Sequence, residues 1–179
     1  MANKVLISVQ EIDEPEWISN VENFLQAVMS LSQVEDWDVS VCFCSDEFIK
    51  NLNKQYRSID DATDVLSFEQ ECEYEDEQGN SRFCAGDIII SIPALIRNTQ
   101  NFSVSQNDEI KRLLVHGFLH LAGYDHGEYH IGKEGNILDE NEKVPVYKDL
   151  SDDKKSECDM LVLQEEILFK LQNEKIINS

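Results

Sequence analysis

Basic residues are scarce in this sequence. Lys and Arg number 15 among 179 residues, against 36 Asp and Glu, which gives a formal net charge of −21. A negative net charge of this size repels nucleic acids and anionic membranes, so overall charge does not favour the capture of either. Any anionic substrate must therefore be held by a local group of cations.

Long apolar runs are also missing. No stretch approaches the roughly 20 apolar residues that cross a bilayer. The apolar run at residues 5–9 is shorter than the roughly seven residues that a signal-peptide core needs. We therefore expect a cytoplasmic protein with no membrane partner.

The cysteine count is five, and an odd number does not give a paired disulfide framework. Reduced, mostly buried thiols are the expectation. Cys42 and Cys44 form a C-x-C pair that is interpreted as two strand residues facing the same side, because a zinc pair would need further ligands at zinc spacing.

The apolar content of 41% and the length predict one compact domain over residues 1–179. Hydrophobic periodicity predicts an α+β fold with about four strands and about five helices. The strands are predicted at 4–9, 37–44, 63–69 and 85–91. The helices are predicted at 14–31, 45–56, 93–100, from 105 to about 123, and from 151 onward. The acidic segment 69–82 is predicted to be a solvated hairpin loop and 127–149 a second loop.

The four histidines fall within fifteen residues, at positions 116, 120, 126 and 130. His116 and His120 are four residues apart on a predicted helix, so both leave the same face. Gly123 ends that helix, which lets His126 return as a third ligand. Three imidazoles suit Zn²⁺ and leave a fourth position for water, as in catalytic sites. The alternative is that these histidines are ordinary surface residues, as His130 is expected to be.

The same ligand spacing occurs in zinc proteases with the motif H-E-x-x-H-x-x-G-x-x-H. Those enzymes keep a general-base Glu directly after the first His, where this chain has Gly117. Without a carboxylate there, peptide hydrolysis lacks its proton acceptor. The motif predicts the metal site without the protease chemistry.

The segment HGFLHLAGYDH at 116–126 resembles the signature of the YbeY family, bacterial metal-dependent endoribonucleases also called ribosomal RNA maturation factors. Tyr56 and Arg57 followed by TDVLSF at 63–68, and the triplet GDI at 86–88, resemble two further blocks of that family. The chain departs from it at Ala62 and Glu69, where the family commonly has proline. Segments 69–82 and 127–149 are longer than the family usually shows and are interpreted as insertions.

The resemblance implies a zincin-like domain, in which a mixed sheet covered by helices on one side supports a metal site at the end of one helix. It implies one zinc ion per chain, held by His116, His120 and His126, with catalytic roles for His116 and Arg57. An Arg facing a metal can hold a phosphate through two N–H groups. The implied partners are single-stranded RNA, ribosomal RNA and the small ribosomal subunit, in RNA maturation and ribosome quality control.

Three acidic residues have open roles. Asp125 is interpreted either as an acceptor that orients a histidine or as a cap of the turn. Asp64 and Asp87 lie at strand ends and are interpreted as supports of the site or as turn residues. The general base is not assigned, and attack by the 2′-hydroxyl of the RNA is an alternative. The alternative functions are a ribosome-assembly factor with a structural zinc and a metal-dependent hydrolase of another substrate.

Segment 91–121 has three basic and two acidic residues and, of the four segments into which we divide the chain, is the one with a positive balance. We predict that a basic cleft for RNA forms here. Its members would be Arg97, Lys111 and Arg112, with Lys50, Lys54 and Arg57 from the neighbouring helix. The alternative is that these are ordinary solubilising side chains.

Overall fold

The computed structural model describes residues 2–124 and 152–178, the latter range with side chains from residue 160 onward. Its strands are β1 (Lys4–Gln10), β2 (Trp37–Cys44), β3 (Val65–Glu75) and β4 (Ser81–Ser91). Its helices are α1 (Asn20–Leu31), α2 (Asp46–Arg57), α3 (Ile92–Phe102), α4 (Gln106–Leu121) and α5 (Asp152–Lys170). The predicted α+β class is confirmed. The predicted loop at 127–149 lies outside the described residues.

The four strands form one mixed sheet in the order β1-β2-β4-β3. β1 pairs with β2 and β2 with β4 in parallel, whereas β3 pairs with β4 antiparallel at one edge. Parallel neighbours need a crossover connection, and α1 supplies it between β1 and β2. The antiparallel pair β3–β4 needs only a short turn.

Helices cover both faces of this sheet, so the expectation that they cover only one is wrong. Ile88 and Ile90 of β4 belong to the larger core, which also holds buried side chains of α1, α4 and α5. Ile89 belongs to a smaller core with Ile49 of α2. Since successive strand residues point to opposite faces, α2 lies on the face opposite α4.

The two cysteines of the C-x-C pair lie in the smaller core beneath α2. Cys42 and Cys44 therefore share a face of β2, as the strand interpretation predicted. Burial is the largest cause that raises the pKa of the Cys44 thiol to about 12. These thiols are structural, buried groups.

The prediction of a solvated loop over 69–82 is wrong, because β3 and β4 continue through most of this segment. Cys72 lies opposite Cys84 and Tyr74 opposite Arg82, after an irregularity in β3 between Glu69 and Cys72. Acidic side chains are tolerated here because β3 is an edge strand, where charge faces water and discourages further pairing. The Arg82 side chain is 2% exposed and pairs with Asp38 of β2, which ties the hairpin to the sheet.

Serine side chains begin three of the helices. The Oγ atoms of Ser45, Ser91 and Ser105 accept hydrogen bonds from backbone N–H groups three residues later, which stabilises the first helical turn. The caps predicted at Ser45 and Ser105 are confirmed. α1 begins at Asn20, later than predicted, because residues 16–19 form turns. Within the described ranges, no helix has the length and apolar character of a membrane span.

Candidate metal site on helix α4

Helix α4 presents His116 and His120 on one half-buried face. Their Nε2 atoms are 3.2 Å apart, and the ring centroids are separated by 4.8 Å. The rest of the helix is held by apolar side chains packed on the sheet, including Leu113, Leu114 and Phe118. The predicted convergence of these two imidazoles on one point is therefore present.

The spacing of the two Nε2 atoms fits a shared zinc ion. Two nitrogens that each lie about 2.0 to 2.1 Å from a tetrahedral zinc are about 3.4 Å from one another. The observed 3.2 Å is close to that value. The predicted third ligand, His126, and its neighbour Asp125 lie outside the described residues. Among the residues that the structure does describe, no group of three His, Cys, Asp or Glu side chains forms a metal cage.

Gly117 allows α4 to approach the sheet closely. A Cβ atom at this position would lie 2.7 Å from Cγ2 of Ile88 on β4. Ser67 of β3 donates a hydrogen bond to the Gly117 carbonyl oxygen at 3.4 Å. The residue after the first histidine thus faces the sheet, in a space too small for the glutamate that zinc proteases keep there.

Gly117→Ala is expected to lower the free energy of unfolding by about 1 to 2 kcal/mol, because overpacking outweighs the helix propensity gained over glycine. Urea denaturation measures the change. In an Ile88→Ala background, where the opposing Cγ2 is absent, the same substitution should not destabilise. An equal loss in both backgrounds would contradict a steric cause.

Gln164 of α5 contacts the histidine-bearing face of α4. Its Oε1 lies 3.0 Å from Nδ1 of His116, and the side chain is 4% exposed. Gln164 is not among the site residues that the sequence motifs predicted. A signal was present, because Gln164 shares a helical stripe with the apolar residues Met160, Ile167 and Leu171, and a buried amide in such a stripe needs a partner.

Arg57 is the last residue of α2 and is exposed. Its neighbour Tyr56 packs against Phe68 of β3, with ring centroids 5.2 Å apart. Ser67, next to Phe68, contacts α4 at Gly117. The edge strand β3 therefore lies between the end of α2 and the histidine helix. In the described ranges no hydrogen bond or ion pair holds the Arg57 side chain.

Asp64 contacts α4 one turn before His116. Its Oδ2 accepts a hydrogen bond from Asn98 at 2.9 Å and lies 3.7 Å from the Arg112 guanidinium. Arg112 is itself held by Glu109 at 2.7 Å. The structure thus connects Asp64 to the helix through Arg112 and does not bring its carboxylate to His116 or His120.

Asp87 lies on the other face of the sheet from the histidines. Its neighbours Gly86 and Ile88 contact Leu121 and Gly117 of α4, so the alternation of the strand directs Asp87 away from that helix. Gln70 donates a hydrogen bond to its carboxylate at 2.7 Å. The structure therefore does not bring Asp87 to the histidine pair.

Within the described residues the structure does not support the predicted basic cleft, because five of its six cations already have partners. These are Lys50 and Lys54 with Asp60, Arg97 with Asp46, Arg112 with Glu109, and Lys111 with the carbonyl oxygens of residues 171, 172 and 174. The hydrogen bond from Arg97 is the largest cause holding the pKa of Asp46 below its ordinary value. Of the six, Arg57 alone has no hydrogen-bond or ion-pair partner within the described residues.

Comparison with known proteins agrees with the fold and with the motifs. The sequence model of the family described as endoribonuclease YbeY matches residues 4–144 of this chain. The endoribonuclease YbeY of Treponema denticola is 43% identical over an alignment of 179 positions, which covers 98% of each chain. That of Treponema pallidum is 46% identical over 132 residues, which cover 74% of this chain and 82% of the relative.

A solved structure shares the fold. The solution structure of TM1509 from Thermotoga maritima has a TM-score of 0.53, with 24% identity, and the match covers 98% of this chain and 97% of that one. The mixed sheet agrees with the fold of this solved structure. The histidine pair on α4 lies within the residues that match the family. The chain belongs to the YbeY family of endoribonucleases.

Proposed function

We propose that this chain is a zinc-dependent endoribonuclease that cleaves single-stranded RNA during maturation of small-subunit ribosomal RNA and in ribosome quality control in the cytoplasm. The observation that carries the zinc assignment is the 3.2 Å separation of the Nε2 atoms of His116 and His120. Family membership supports RNA as the substrate.

His116, His120 and His126 would hold the ion, one per chain. A bound zinc polarises a phosphoryl oxygen and lowers the pKa of a coordinated water, which generates a nucleophile near neutral pH. Because Nε2 of His116 and Nε2 of His120 face each other, both imidazoles can offer a lone pair to the same ion.

Arg57 would bind the phosphate of the RNA. Its guanidinium has five N–H donors in a planar fork that matches two phosphate oxygens. Its exposure, and the lack of an acidic partner within the described residues, leave those donors available. In the folded chain the edge strand β3 lies between Arg57 and the histidines. We therefore propose that the substrate is a bent, single-stranded RNA that crosses this edge of the sheet.

The electrostatics favour delivery of RNA by a ribosomal particle. The net charge is −21, and four of the six cations assigned to the predicted cleft are paired with carboxylates. Long-range attraction of naked RNA is therefore weak. We propose that the small ribosomal subunit presents its RNA end to the site and that free RNA is a poor substrate.

The proposal predicts that zinc and cleavage separate in two variants. His120→Ala should lose both, because it removes a ligand. Arg57→Ala should keep about one zinc per chain, as expected for three protein ligands, and should lose cleavage. Zinc content and cleavage are measured on one preparation, with ribosomal particles carrying unprocessed RNA ends. Lys54→Ala is the matched control, because Lys54 is an exposed cation of α2 paired with Asp60.

Two outcomes would contradict the proposal. Stoichiometric zinc without cleavage by the wild type would indicate an assembly factor with a structural metal. If Arg57→Ala and Lys54→Ala both cleave RNA as fast as the wild type, Arg57 acts only as a surface charge.

A further inference from the structure

A hydrogen bond joins the last described helix to the first histidine of the pair. Oε1 of Gln164 lies 3.0 Å from Nδ1 of His116, and the amide is almost fully buried. A buried polar side chain is costly unless it is hydrogen-bonded. Because the contact is directed at one ring nitrogen of a metal-binding histidine, it does more than fill space.

The contact determines which nitrogen of His116 carries the proton. An amide oxygen can only accept a hydrogen bond, so Nδ1 of His116 donates. In neutral imidazole the other nitrogen then has the lone pair. That nitrogen is Nε2, which faces His120.

The contact between His116 and His120 also depends on which nitrogen of His116 carries the proton. With a lone pair on Nε2 of His116, Nε2 of His120 would be the donor across their 3.2 Å separation in the metal-free protein. If zinc were bound, His120 would release that proton or carry it on Nδ1 instead, so that both Nε2 atoms could be ligands. The ring of His116 is already in the orientation that coordination needs.

We propose that Gln164 is a positioning residue that fixes His116 in the Nδ1–H tautomer and thereby strengthens metal binding, an inference that rests on the proposed zinc site. A hydrogen-bond acceptor behind a ligating histidine holds the ring and raises the basicity of its free nitrogen. Because the acceptor is an amide, it orients the ring without adding negative charge where an RNA phosphate would bind.

Two variants separate this role from packing. Gln164→Met preserves the length of the side chain but has no oxygen, and we expect it to weaken zinc binding about 10- to 100-fold. Gln164→Glu restores an acceptor and should bind zinc at least as tightly as the wild type. Zinc affinity is measured by competition with a chelator on the full chain, alongside urea denaturation of the metal-free protein.

The matched control is Met160→Leu, one turn earlier on the same buried stripe of α5. It changes packing against the core and leaves the hydrogen bond between Gln164 and His116 in place, so its zinc affinity should equal that of the wild type. If Gln164→Met and Met160→Leu lose stability alike and both keep wild-type zinc affinity, Gln164 is a packing residue and the inference is wrong.

A readout without metal distinguishes this inference from the proposed function. Nitrogen-15 NMR of the metal-free protein reports the tautomer of His116, which should be Nδ1–H in the wild type and should lose that preference in Gln164→Met. An Nε2–H tautomer in the wild type would overturn the inference. Failure of the wild type to bind zinc would refute the proposed function instead, and the NMR result would still decide the role of Gln164.

Discussion

Gly86→Ala is expected to lower the free energy of unfolding by about 3 to 5 kcal/mol. A Cβ at this position would lie 2.0 Å from the carbonyl oxygen of Phe68 and 3.0 Å from Cδ2 of Leu121. The first contact is with backbone, so no rotamer change relieves it. The residue also has φ of 139°, a conformation that side chains with a Cβ rarely adopt. Urea denaturation measures the loss.

Gly79→Ala is the matched control for backbone strain. Gly79 also has a positive φ, 80°, but a Cβ there meets nothing within 4 Å. The expected cost is about 1 kcal/mol, the penalty of a left-handed conformation alone. If both substitutions cost the same, the close approach of Phe68 to Gly86 contributes nothing.

The position of Gly86 links sheet packing to the histidines. Phe68 follows Ser67, which contacts α4 at Gly117, and Leu121 follows His120. An added methyl group must move β3 or the end of α4. We therefore expect Gly86→Ala protein that still folds to bind zinc more weakly than Gly79→Ala protein.

Strong local signals allowed much of the fold to be predicted. The alternating run of β2 gave the same bounds as the structure, Trp37–Cys44. The i, i+4 spacing of His116 and His120 was enough to predict that they converge, because helix geometry alone places them on one face. Ser105 correctly predicted the start of α4, since N-capping depends on neighbours three residues apart.

Features that depend on distant residues were missed. The acidic part of β3 has little apolar content, and a distant contact holds it, because the Tyr74 hydroxyl donates a hydrogen bond to Asp38 of β2, the residue that also pairs with Arg82. The basic cleft was predicted from the positive net charge of one segment. Such a sum does not show that Arg97 pairs with Asp46, which is far away in the chain. Gln164 is 48 residues from His116, so the helical stripe that contains Gln164 indicates a buried amide but does not identify its partner.

Lys111→Met is expected to lower the free energy of unfolding by about 3 kcal/mol. The Lys111 side chain is 3% exposed, and its Nζ donates to the carbonyl oxygens of Leu171, Gln172 and Glu174 at 3.2, 3.4 and 3.1 Å. These groups follow the end of α5, where a positive charge also offsets the helix dipole. Methionine fills the same space but donates nothing, so buried carbonyl oxygens lose their partner. Urea denaturation of the metal-free chain measures the change.

Lys170→Met is the matched control, because Lys170 belongs to the same helix end but forms an exposed i, i+4 pair with Glu166. It should change the free energy of unfolding by less than about 0.5 kcal/mol. The two variants should also differ in zinc affinity, since Lys111 holds the helix that brings Gln164 to His116. Weaker zinc binding by Lys111→Met, with unchanged zinc binding by Lys170→Met, would show that the position of α5 affects the histidine site. Equal small effects of both would mean that the C-terminal end of α5 is held by its apolar contacts alone.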